Sequence, residues 1–119
     1  MSRIALVAAG LVGALALAAP IGATSSVTKL TGTVGPGFTI TLKKGTAKVK
    51  TLKAGSYKIT VNDKSNIHDF HLTGPGVNKM ITTTPFKGSK TVTVKLKKGK
   101  YTYVCDPHAS VMKGSFTVK

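Results

Sequence analysis

Two hydrophobic patterns divide the chain. From Ile4 to Ala19 the residues are apolar almost without interruption, whereas beyond Ala23 apolar and polar residues alternate in short runs punctuated by glycine. Runs rich in Thr, Val, Ile and Tyr occupy 27–33, 38–42, 47–52, 57–61, 67–72, 91–96, 101–105 and 115–118. This composition and period predict half-buried strands. Eight short strands at close spacing predict an all-β sandwich or barrel. The stretch 74–89, opened by Gly74-Pro75-Gly76, reads as the longest irregular connection, and nothing after the first apolar run has helical periodicity.

The first run changes the picture of where the protein works. Arg3, the apolar stretch and the small residues around Pro20 to Ala23 fit the three parts of a secretory signal. Cleavage is expected between Ala18 and Ala23, giving a leader over 1–23 and one domain over 24–119. An uncleaved anchor is the alternative, because 4–21 is near the ~18-residue lower limit for spanning a bilayer. No cysteine lies there to carry a lipid, and no later segment is apolar enough to cross a membrane. The expected location is periplasmic, cell-surface or extracellular.

Charge then narrows the partners. The formal net charge is +15 with only three acids, Asp63, Asp69 and Asp106, and every basic residue after Arg3 is a lysine. Most lysines alternate with Thr, Val and Ile, as solvent faces of strands do. Their summed field still favours redox partners with acidic patches, or an anionic envelope surface, and an association rate that falls as salt rises. Nucleic acid is a poor partner, since the mature part has no arginine and no basic segment interleaved with aromatics. A monomer is expected.

The candidate chemistry sits late in the chain, in Tyr103-Val104-Cys105-Asp106-Pro107-His108-Ala109-Ser110-Val111-Met112. A single cysteine in an exported chain cannot form an internal disulfide. It is a free thiol, an intermolecular bridge, an inert buried residue or a ligand. One thiolate, two imidazoles and one thioether compose a blue-type mononuclear copper site. Alternation sorts the histidines: His68, Phe70 and Leu72 share the core face of their strand, while Ile67, Asp69 and His71 share the other. By the same rule Tyr101, Tyr103 and Cys105 share one face, and Pro107 turns the chain so that His108 can approach Cys105. Asp69 and Asp106 each follow a candidate ligand, where a carboxylate can accept a hydrogen bond that pins the ligand loops.

The runs His68-Asp69-Phe70-His71-Leu72 and Tyr101-Thr102-Tyr103-Val104-Cys105-Asp106-Pro107-His108, with Met112-Lys113-Gly114-Ser115-Phe116, resemble the cupredoxins, the plastocyanin and azurin group. That resemblance implies a Greek-key β-sandwich of about seven or eight strands. It also implies one copper ion, with His68, Cys105 and His108 as strong equatorial ligands and Met112 as the weak axial one. Two features depart from the pattern. Three residues separate His108 from Met112, one fewer than in plastocyanin-like loops, and Asp69 stands where Asn is common.

With four protein ligands no position is left for substrate, so the implied function is outer-sphere one-electron transfer rather than enzymatic catalysis. A copper carrier or storage protein would use similar ligands and differ in giving up the ion. A zinc site using His71 is opposed by strand alternation. A binuclear centre would need a second cysteine. A metal-free wall-binding sandwich would account for the lysines but not for the Cys-His-Met set.

Overall fold

The structure, a computed structural model, describes residues 27–119. The expected leader over 1–23 therefore lies outside the described residues. Ten strand segments follow one another: β1 (Thr28–Val34), β2 (Ile40–Lys44), β3 (Ala47–Lys48), β4 (Thr51–Leu52), β5 (Gly55–Asp63), β6 (Phe70–Gly74), β7 (Val77–Thr82), β8 (Gly88–Leu96), β9 (Gly99–Val104) and β10 (Lys113–Val118). They form two five-stranded sheets, ordered β3-β2-β1-β5-β8 and β4-β10-β9-β6-β7. The expected all-β sandwich is what the chain adopts. Among the described residues the only helical segment is a single 3-10 turn over Asp106–His108.

Alternation builds the core. Leu30 and Val34 on β1, and Tyr57, Ile59 and Val61 on β5, point inward from one sheet. Phe70 and Leu72 on β6, Tyr101 and Tyr103 on β9, and Phe116 and Val118 on β10 answer from the other. The lysines between these positions point to water, as on β5, where buried Tyr57 and Ile59 flank exposed Lys58. Each fully buried apolar side chain contributes about 1.5–3 kcal/mol relative to exposure. Pairing is antiparallel except for β1 with β5 and β10 with β4.

Three strand expectations are corrected. The run 47–52 is two short segments in different sheets: β3 pairs with β2, and β4 pairs with β10. The chain crosses between the layers around buried Val49. The stretch 74–89 is not irregular throughout, because Gly74 to Val77 forms a hairpin turn that lays β7 against β6. β7 escapes the pattern because it is an edge strand, with only Ile81 and Thr82 buried. Finally, β6 begins at Phe70, so His68 and Asp69 belong to the preceding turn rather than to a strand.

Candidate metal centre

Local hydrogen bonds shape the turn that carries His68. The Asp63 Oδ1 accepts the Ser65 N–H (3.2 Å), the Lys64 N–H donates to the Val34 carbonyl (2.9 Å), and the His68 N–H donates to the Ser65 carbonyl (3.4 Å). The His68 ring is thereby driven inward and is fully buried. Gly35 lies against it. Its φ of +76° is in the left-handed region, and a Cβ there would stand 2.8 Å from His68 Cδ2, so glycine satisfies both the turn and the close approach.

The second ligand loop is closed by its own backbone. The His108 N–H donates to the Cys105 carbonyl (3.0 Å), the Met112 N–H to the His108 carbonyl (2.8 Å), and the Cys105 N–H to the Met112 carbonyl (3.0 Å). Pro107 near the start of the 3-10 turn suits this geometry, having no N–H to satisfy. Cys105 and Met112 are buried, and His108 is part-buried.

These two loops bring three donors together. His68 Nδ1 lies 3.2 Å from His108 Nδ1, and Cys105 Sγ lies 3.6 Å from the first and 3.5 Å from the second. The point equidistant from three atoms so spaced is about 2 Å from each, close to ordinary metal–nitrogen and metal–sulfur bond lengths. Donor type and spacing both fit a metal ion. Soft sulfur with two imidazoles fits copper in either oxidation state. Met112 shares the buried cluster that contains Cys105.

Burial pushes the Cys105 thiol up from its ordinary value, an effect reinforced by the Asp69 and Asp106 charges and opposed by the Asp69 and His108 backbones. A metal ion is what would remove its proton at neutral pH, so metal affinity rises with pH.

Around the donors runs a polar brace. The Asp69 N–H donates to Cys105 Sγ (3.4 Å), and Asp69 Oδ1 accepts the Asp106 N–H (2.7 Å), tying the two ligand loops together. The carboxylate thus serves as an acceptor where the Asn common in the family would also fit. Burial raises the Asp69 pKa, and the Asp106 N–H opposes the rise. The Asp106 carboxylate in turn meets His71 Nδ1 at 2.9 Å. Asp69 was expected on the outer face with His71, yet it is 3% exposed. It lies outside the strand, where alternation does not govern it. His71 is on the surface side as expected.

One residue that the pattern misassigns is Phe38. With Ile40 and Leu42 it has the parity of a core face, but it precedes β2 and is 59% exposed. The Gly35 N–H to Thr39 carbonyl bond (2.9 Å) folds its loop over the site, where the ring packs edge-on against His68 (5.6 Å) and His108 (4.9 Å). Its neighbours Gly35-Pro36-Gly37 are the only hint that the strand had not yet begun.

Residues 39–119 match the family of copper-binding proteins described as plastocyanin/azurin. Among solved structures, reduced rusticyanin is 23% identical, with 81% of each chain covered and a TM-score of 0.57. Rusticyanin variants are 25% identical over 81% of this chain and 79% of theirs, with a TM-score of 0.55. A chain of a heme-copper terminal oxidase dimer is 22% identical over 76% of this chain and 63% of its own, with a TM-score of 0.54. A comparison with curated proteins gives no match. The family match spans most of the chain, the fold agrees with it and the donors converge where copper would bind, so the chain is a cupredoxin belonging to the plastocyanin/azurin family of copper-binding proteins.

Proposed function

We propose that the protein is an exported blue copper protein that carries single electrons between redox partners. His68, Cys105 and His108 would hold the copper ion, with Met112 as a fourth, weaker ligand. The observation that carries this reading is the convergence of one sulfur and two imidazole nitrogens at the mouth of a rigid sandwich. Bound copper supplies a one-electron couple between Cu(I) and Cu(II).

The residues supply the rest. Strand β9 and the Cys105–Met112 backbone bond hold the donor loop, so the donor positions need little rearrangement when charge changes. Four protein ligands leave no place for a substrate. His108 is the part-buried ligand, and its ring edge is the route by which an electron passes to a docked partner.

Phe38, Ile67 and Val111 are exposed, and each belongs to one of the three loops that meet at the donors. They give that end an apolar rim on a body of lysines, which suits a partner with an apolar contact surrounded by acidic side chains. No helix among the described residues is long and apolar enough to cross a membrane. Export rests on the leader pattern alone.

Addition of Cu(II) to the protein is expected to give an intense blue thiolate-to-copper band that is lost in Cys105→Ser. A folded, copper-loaded protein without that band would overturn the reading.

A further inference from the structure

The chain has three histidines, and the ligand set uses two. The third, His71 on β6, lies on the surface side of the brace. Its Nδ1 meets Asp106 Oδ2 at 2.9 Å and Oδ1 at 3.2 Å, and its Nε2 meets Asn78 Oδ1 at 2.6 Å. Both ring nitrogens face oxygen acceptors, a pattern that only the doubly protonated ring satisfies. The path continues inward through the Asp106 N–H to Asp69 and through the Asp69 N–H to Cys105 Sγ. Three residues, His71, Asp106 and Asp69, thus connect the surface to the ligand sulfur.

We propose that His71 is a positioning residue whose proton is linked to the electron at the site: as an imidazolium it holds Asp106 and, through it, the Cys105 loop, and it binds its proton more tightly when the site is reduced. The inference rests on the electron-carrier reading. During reduction one electron enters from a one-electron donor, and over the linked pH window one proton enters from water at His71 Nε2. Reoxidation returns both. When that proton leaves, Nδ1–H remains on the Asp106 carboxylate and Asn78 must turn its amide to donate to Nε2.

The groups around His71 set the sign. Asn78 on β7 and Asp106 on the ligand loop accept from it, and Asp69 adds negative charge. On the sheet, His71, Val104 and Lys113 lie in one row across β6, β9 and β10, so Lys113 is the cation of that row, and Lys100 lies further along the same outer face of β9. From β7 its cross-strand partner is Met80, which does not titrate. The bond to Asn78 and then the Asp106 contacts raise the His71 pKa, against partial burial, which lowers it. The charged ring and its hold on Asp106 are therefore fully present below the ordinary histidine value and are lost as pH rises through the raised one. Oxidation adds one positive charge to the site and lowers the proton affinity of His71. The reduction potential must then rise as pH falls through this window and level off on either side. By reciprocity the reduced protein binds the proton more tightly by the same factor, roughly threefold to tenfold for charges interacting across a protein surface. A tenfold factor corresponds to 59 mV for a one-electron couple.

The test is the reduction potential of the copper-loaded protein, followed through its blue band from about pH 5 to 9. It is paired with an NMR titration of His71 in the Cu(I) form. The expected result is one potential step whose upper edge coincides with the His71 titration. His71→Gln should abolish the step. Asn78→Ala, a change at an exposed edge position, should move it to lower pH while retaining it. A purely structural role would shift the potential of His71→Gln equally at every pH and leave the step in place. A step that survives His71→Gln, or a potential independent of pH in the parent protein, would overturn the proposal. A blue band and a reversible couple in all three proteins keep the electron-carrier reading intact in that event, whereas a colourless parent protein would remove both.

Discussion

Tyr101 and Tyr103 stand two residues apart on β9, face the same core and are fully buried, yet they finish opposite ends of the sandwich. Each ring lies over a glycine of a neighbouring strand, Tyr101 over Gly74 and Tyr103 over Gly114. Tyr101 closes its end with hydrogen bonds. Its hydroxyl donates to the Pro75 carbonyl (2.7 Å) and accepts the Lys97 N–H (2.9 Å), joining two turns. Tyr103 stacks on Phe70 (5.6 Å between centroids) and leads along the same face to Cys105. One periodic face therefore gives a sealed turn at one end and a metal donor at the other. The candidate donors converge beyond the Tyr103 end. Space alone is a poor guide: a cleft of about 710 Å³ is lined by residues such as Lys44, Lys53 and Tyr57 and contains none of the donors.

The harshest way to break this contrast is to fill the space under each ring. Gly114→Ala and Gly74→Ala would each drive a methyl group into a buried tyrosine, and overpacking of this kind costs about 1–3 kcal/mol. Both should lower the denaturation midpoint. Only Gly114→Ala should also shift the blue band, because Tyr103 is two residues from Cys105. Equal spectral effects would show that the two ends are not separate.

Tyr101→Phe makes a milder cut. It leaves the Lys97 N–H and the Pro75 carbonyl without their partner, and the expected loss is about 1 kcal/mol by chemical denaturation, with an unchanged visible spectrum. Phe38→Ala should have the smallest effect on stability, since that ring is already largely in water. By admitting water above His68 and His108 it should favour the more highly charged Cu(II) form. The reduction potential is expected to fall by an amount on the order of tens of millivolts. A rise would mean that Phe38 acts other than by excluding solvent.

Much of this was readable along the chain. Alternation alone placed Phe70 and Leu72 in the core and set Tyr101, Tyr103 and Cys105 on one face, because a buried sheet face fixes its register. It failed for edge strand β7, where little is buried to impose a period, and for the crossing at Val49, where one run serves two sheets. It also misjudged Phe38 and Asp69, which have the parity of strand residues but lie in turns.

The sequence by itself determined the donor inventory, the alternation of apolar and lysine-bearing positions, and the short spacing from Cys105 to Met112. These are local properties, set by side-chain chemistry, a period of two and the restriction at Pro107. Only the tertiary structure decided that His68, 37 residues before Cys105, comes within 3.6 Å of its sulfur, and that Asp69, Asp106 and His71 join into one brace. Such contacts depend on how β6 packs beside β9, and no local pattern contains the distance between residues so far apart in the chain.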